Sequence, residues 1–269
     1  RERDTHAYLQ ESDLPASIIR MEQYLTINKT LYILFPLYTM NLFDLIEKKN
    51  FQGLSLELTS KFISQLIEAL VFLEEKGIIH ADIKLENILL KHPRRAAISL
   101  ADFGLALKAK DAQKGYLLQS KYYRSPEICQ KLDYDNKIDI WSLGCVFVEL
   151  YTGSVLFEST PEQSHLEKIK EIIDSDSDCE EEEEEEEEEY DKRKAKKRKI
   201  EETQTKLFYI LIQNTKKLDH ARYQEQLKDV YITYDKWLSK VLALNPAKRP
   251  NAAQTASSFK QICEKFKRQ

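Results

Sequence analysis

Four polar residues stand close together along one stretch: Asp82, Lys84 and Asn87 within six positions, and Asp102 fifteen residues further on, ahead of Phe103 and Gly104. A carboxylate, an ammonium, an amide and a second carboxylate are the parts needed to move a phosphoryl group. One carboxylate orients and deprotonates an acceptor hydroxyl, the cation steadies the travelling phosphate, and hard oxygen ligands hold Mg²⁺. Mg²⁺ takes only one or two carboxylates from most proteins, and Asn87 with Asp102 meets that need. An isolated Asp-x-Lys is usually a solvated surface pair, and an isolated Asp-Phe-Gly is common, so the weight falls on what surrounds them.

Elements that could position such a set are legible. Residues 17–25 and 31–37 are rich in Ile, Leu and Tyr and read as strands. The pattern turns helical between Leu42 and Ile46. Phe62, Ile63, Leu66, Ile67, Leu70 and Leu73 recur at three and four, which predicts a strong helix with Ser55 as cap and Gly77 as stop. Two short apolar runs, 88–90 and 96–100, flank the loop of acids. A long loop with few apolar residues follows to Glu127. Asp135 is placed to cap a buried helix through Ile138, Leu143 and Phe147 that ends at Gly153. Residues 166–173, 207–212, 237–244 and 252–266 read as later helices. Strands early and helices late predict an α+β fold with a mostly helical larger part.

Composition narrows the classes. The 269 residues carry a formal charge of −4. Residues 174–199 hold fourteen acids, ten of them the unbroken Glu run 180–189, against seven bases, so the rest of the chain is net basic. Ten adjacent Glu repel one another and bury nothing, which predicts a solvated, disordered insertion. Such a run repels phosphates, so direct nucleic-acid binding is not expected. No apolar run reaches the ~18 residues of a membrane span. Four scattered Cys give no zinc pair and no disulfide framework, pointing to a reducing compartment.

Five segments in order then carry a resemblance. His80-Ala81-Asp82-Ile83-Lys84-Leu85-Glu86-Asn87 and Asp102-Phe103-Gly104 are followed by Ser125-Pro126-Glu127, by Asp139-Ile140-Trp141-Ser142-Leu143-Gly144 and by Asn245-Pro246-Ala247-Lys248-Arg249-Pro250. Together they resemble the protein kinase superfamily over nearly the whole chain. The resemblance implies a bilobal fold that takes ATP and Mg²⁺ and phosphorylates protein serine or threonine, with dual specificity left open. It implies Asp82 as base, Lys84 on the γ-phosphate, Asn87 and Asp102 on the metal, a Glu127–Arg249 ion pair, and Asp139 holding the catalytic loop. It divides the chain into a partial small lobe and hinge (1–38), a first part of the large lobe (39–173), an insertion (174–202) and the last helices (203–269). In the cleft it implies Phe35 as gatekeeper, Pro36 and Tyr38 on the adenine edge, Asn41 on the ribose and Leu89 beneath the base. Glu2, with His6 and Leu9, resembles a kinase helix whose Glu pairs with a strand lysine. The family's glycine-rich loop and that lysine precede this helix, and the first glycine here is Gly53. The stretch as given is therefore expected to be feeble or inactive, within a longer parent that is an active kinase.

Residues 119–127, Gln-Ser-Lys-Tyr-Tyr-Arg-Ser-Pro-Glu, resemble the CMGC group, closest to the dual-specificity tyrosine-regulated, homeodomain-interacting and Cdc2-like kinases. Their regulation implies phosphorylation of a loop tyrosine, for which Tyr116 stands one place early, with Lys121 and Arg124 as the receiving bases. Arg124 and residues 125–127 would form the platform for a protein substrate. The bases Lys192, Arg193, Lys194, Lys196, Lys197, Arg198 and Lys199 favour the nucleus over the cytoplasm. A monomer is expected. The rivals are a pseudokinase scaffold and a small-molecule phosphotransferase. The Ser-Pro-Glu and Trp-Ser-x-Gly segments disfavour the second rival.

Overall fold

The computed structural model describes residues 1–160, 163–173 and 224–267. The acidic insertion, its basic end and the helix expected at 207–212 lie outside the described residues.

The chain opens with α1 (Glu2–Gln10), which buries His6 and Leu9. Two strands follow, β1 (Gln23–Ile27) and β2 (Thr30–Leu34), paired antiparallel from Gln23↔Leu34 to Ile27↔Thr30. The strand expected from residue 17 is shorter than its apolar run. Ser17, Ile18 and Ile19 are all buried, which the two-residue alternation of a half-exposed strand does not allow. That segment instead joins the large lobe: Ile19 N donates to Leu100 O at 2.9 Å, and Leu100 N donates to Ser17 O at 2.7 Å.

The large lobe begins with β3 (Met40–Asn41) and α2 (Leu42–Lys48), then α3 (Leu56–Glu75), with the Ser55 side chain accepting from Leu58 N. A short β4 (Ile78–Ile79) leads to the catalytic stretch. β5 (Ile88–His92) and β6 (Arg95–Leu100) form a hairpin that also pairs with β3. The long loop to Glu127 is less empty than its composition suggests. It contains β7 (Leu107–Lys108), paired with β4, and runs into the one-turn α4 (Pro126–Cys129). α5 (Lys137–Thr152) is buried from Ile138 to its end. Its cap position is Asn136 rather than Asp135, yet Asp135 still supplies the bond, accepting from Lys137 N at 2.9 Å. α6 (His165–Ile173), α7 (Gln224–Val241) and α8 (Ala252–Lys267) complete the described elements.

One core joins the parts. It runs from Leu9 and Ile18 through the buried face of α3 and the length of α5 to Tyr234, Trp237 and Phe259. Two of the scarce glycines make the packing possible. Gly53 and Gly153, both at positive φ, lie so close across the end of α5 that a Cβ on either would collide with backbone. No helix among the described residues is long and apolar enough to cross a membrane.

Candidate active site

The catalytic stretch is held from below. Asp139, on the first turn of α5, accepts from His80 N at 2.7 Å and from Ala81 N at 3.0 Å. Burial pushes its carboxyl up to about 7, against the pull of these two N–H groups. Asp82 N donates to His80 Nδ1 at 3.2 Å, so the proton sits on Nε2, which donates to Ala101 O at 3.1 Å. The imidazole is thereby fixed as the neutral tautomer, and its burial lowers its pKa to about 4. One side chain thus links the loop carrying Asp82 to the segment carrying Asp102.

Asp82 is buried, and its oxygens are occupied from within the chain. Oδ1 accepts from Ser120 Oγ at 2.7 Å. Oδ2 pairs with Lys84 Nζ at 2.9 Å and accepts from Asn87 Nδ2 at 3.0 Å. Burial pushes the carboxyl up, but Ser120, Lys84 and Asn87 outweigh it, and the pKa lies below the ordinary aspartate value. Asp82 is therefore an oriented, ionised carboxylate at neutral pH. Lys84 Nζ also donates to Ser120 Oγ at 3.2 Å, which closes a ring of three side chains.

Asn87 donates its amide N–H to the Asp82 backbone oxygen as well, at 2.8 Å, so its own side-chain oxygen is the part left for a ligand. Asp102 is exposed and held at φ +62°, in the left-handed region. Ala81 and Gln119 take the same conformation, at +63° and +62°. Non-glycine residues persist there only where their surroundings over-determine them, as functional sites do. No group of three His, Cys, Asp or Glu that could hold a metal exists among the described residues. The donor set nevertheless fits Mg²⁺, which pairs few protein oxygens with those of a phosphate ligand. Asn87 and Asp102 would hold it, and the ion would neutralise phosphate charge.

Beside Asp102 lies a cleft of about 470 Å³ between α1 and the large lobe. Glu2, Phe35, Pro36, Tyr38, Asn41, Leu89 and Asp102 line it, whereas Lys84 and Asn87 do not. Ile19, Met40 and Ala101 add apolar wall, and Asp44 adds a carboxylate that the sequence reading missed. Asn41 has a second task in the structure: its side-chain oxygen caps α2, accepting from Asp44 N at 2.8 Å. Burial first, and then the Asp102 carboxylate, push the Glu2 carboxyl above its ordinary value. Behind the cleft, the His6 ring lies 4.9 Å from both Phe35 and Phe103, tilted to the first and edge-on to the second, and Phe103 lies 4.8 Å from His80.

The expected ion pair forms with both oxygens engaged. Arg249 Nη1 and Nη2 each lie 2.6 Å from a Glu127 oxygen, with side-chain exposures of 0% and 2%. The guanidinium also lies 5.0 Å over Trp141. Gln119, which opens the 119–127 motif but has no role assigned there, ties the loop together. Its oxygen accepts from Ser125 N at 3.0 Å and its amide donates to Ser142 Oγ at 2.8 Å.

The expected receivers of a phosphate on Tyr116 are placed otherwise. Arg124 donates to the backbone oxygens of Leu118 and Gln119, and the Lys121 ammonium lies 5.6 Å over the ring of Tyr122. Tyr116 is 61% exposed and lines a separate cleft of about 570 Å³ with Lys108 and Lys110. Asp4, Thr5 and Tyr8 of α1 line the same cleft as Tyr116.

The protein kinase domain model matches residues 2–259. The chain is 42% identical over 168 residues to a probable serine/threonine-protein kinase dyrk2 of Dictyostelium discoideum, covering 62% of this chain and 18% of that one. It is 40% identical to the dual specificity tyrosine-phosphorylation-regulated kinase 2 of Drosophila melanogaster, covering 61% and 23%. A serine/threonine-protein kinase ppk5 of Schizosaccharomyces pombe is 41% identical over 58% and 19%. The matches span less than a quarter of each relative's length.

Proposed function

The chain belongs to the protein kinase domain family, and on that premise we propose that it transfers the γ-phosphate of ATP to serine or threonine of protein substrates. Tyrosine is a further acceptor on the same reading, suggested by the name of the Drosophila relative.

The observation that carries the reading is the ring of Asp82, Lys84 and Ser120 set beside a cleft that holds Asp102. Phosphoryl transfer through a loose transition state asks the protein for position and charge rather than covalent chemistry. Asp82 would accept the hydrogen bond of the incoming hydroxyl and take its proton. Lys84 would steady the transferring phosphate. Ile19, Leu89 and Ala101 would sandwich the base, and the backbone of residues 36–38 would meet its edge. The Glu127–Arg249 pair anchors the segment that ends at Ser125, where a peptide substrate would lie.

Calorimetric titration with ATP, with and without Mg²⁺, tests the reading. Binding that requires Mg²⁺ and weakens in Asp102→Asn is the expected result. Absence of nucleotide binding would favour a scaffold role.

A further inference from the structure

Segment 118–125 is bonded mainly to the catalytic stretch and to α5. Gln119 N donates to Ala81 O at 3.1 Å, its side-chain amide donates to Ile138 O at 2.9 Å, and Ser120 Oγ donates to Asp82. Ser142 Oγ of α5 donates to Tyr123 O at 2.8 Å, and Tyr123 Oη donates to Glu149 at 2.6 Å. The Arg124 guanidinium closes the segment on itself, reaching Leu118 O and Gln119 O at 2.9 Å each.

One further bond comes from α6. Its first residue, His165, is buried, and the ring Nε2 lies 3.3 Å from Arg124 O. A carbonyl oxygen only accepts, so the ring carries its proton on Nε2 and donates it. Burial lowers the imidazole pKa against the pull of that oxygen, so the ring is neutral at pH 7. Among the described residues α6 makes no other hydrogen bond to the segment. The same ring stands edge-on to Phe157, centroids 6.2 Å apart, and Phe157 stacks on Trp141 at 5.4 Å. Trp141 lies under the Arg249 guanidinium that grips Glu127. A column of rings thus joins two anchors of the platform, the Arg124 carbonyl at one end and Glu127 at the other.

We propose that His165 is a positioning residue for the protein acceptor. By holding the Arg124 carbonyl it fixes the backbone from which the guanidinium reaches back to Leu118 and Gln119. Ser120 follows Gln119 directly, so the same hold keeps its hydroxyl on Asp82. Neither His165 nor any residue of 118–125 lines the nucleotide cleft, so the influence falls on the acceptor and spares ATP. The acceptor role rests on the phosphotransfer reading. The hold on Arg124 does not.

The test compares the whole chain with His165→Phe and His165→Gln. Phe keeps a ring against Phe157 and removes the donor, whereas Gln restores an N–H at similar reach. Amide hydrogen exchange, read by mass spectrometry, should be about two- to tenfold faster over 118–125 in His165→Phe, the loss of one hydrogen bond. Exchange over α3 and the melting temperature should stay near the parent's, and His165→Gln should recover most of the protection. Parent-like exchange in His165→Phe would overturn the proposal. So would equal loosening in both variants, which would make the role one of packing, or loosening spread through α3. In transfer to dephosphorylated casein, the KM for casein should rise by a similar factor in His165→Phe with the KM for ATP unchanged. A rise in both would overturn the acceptor role. The exchange result needs no nucleotide, so it stands or falls apart from the ATP titration that tests the phosphotransfer reading.

Discussion

Around Asp82 the chain answers its own polar groups: carboxylate with hydroxyl, ammonium and amide, imidazole with carbonyl, and backbone N–H with Asp139. Around the β1–β2 hairpin little is answered or covered, and Tyr24, Ile27, Leu31, Tyr32 and Leu34 are all exposed. An isolated two-stranded hairpin is marginal in water, whereas a network fixed to a buried helix such as α5 moves only if the core does. The contrast separates two tasks. Charges that must be held still are pinned to the helical lobe. One wall of the cleft comes from the connections beside the hairpin, Ile19 and residues 35–38, and faces Met40, Leu89 and Ala101 of the large lobe.

Breaking the anchored side should cost most. Arg249→Ala leaves Glu127 as a buried, unpaired carboxylate, and a loss of about 3–5 kcal/mol is expected in chemical denaturation. Ser120→Ala removes a hydrogen bond to an ionised group, for about 1.5–3 kcal/mol. Because Ser120 lowers the Asp82 pKa, its loss should raise that pKa, and the acid limb of the pH–rate profile should move to higher pH.

His6 tests the junction of the two regions. Burial, aided by His80, lowers its pKa to about 4, from 6.5 unfolded. Between those values the unfolded chain binds the extra proton, so stability falls as pH drops from 6.5 toward 4. His6→Leu should therefore raise the melting temperature more at pH 5 than at pH 7.5, with part of the slope remaining because His80 behaves alike. The smallest effect belongs to the hairpin. Tyr32→Ser, at an exposed site, should change stability by no more than about 0.5 kcal/mol. A larger loss would show that the hairpin is held more firmly than its exposure indicates.

Much of this was legible because it is local. Asp82, Lys84 and Asn87 fall within one turn of chain, and the periodicity of α3 survives from sequence to structure with its cap at Ser55. Bonds between distant residues leave no such trace. Ser120 meets Asp82 across 38 positions, and a serine in a loop of few apolar residues carries no signal of that contact. Gln119 matters because a left-handed backbone turns it inward. Asn41 carries a second role that the ligand reading did not anticipate, since capping and ligand contact call for the same residue type and its oxygen starts α2. Tyr116 shows that linear distance to Arg124 is no guide once a loop folds back.

The central claim is that Asp82 serves as the base in phosphoryl transfer. Its most direct test is the release of labelled γ-phosphate from ATP onto a protein acceptor by the parent chain and by Asp82→Asn, at equal folded concentration. The account predicts measurable transfer by the parent and a fall of about 10²–10⁴-fold in the variant, with nucleotide binding retained. Transfer by the parent that Asp82→Asn leaves at an equal rate would contradict it.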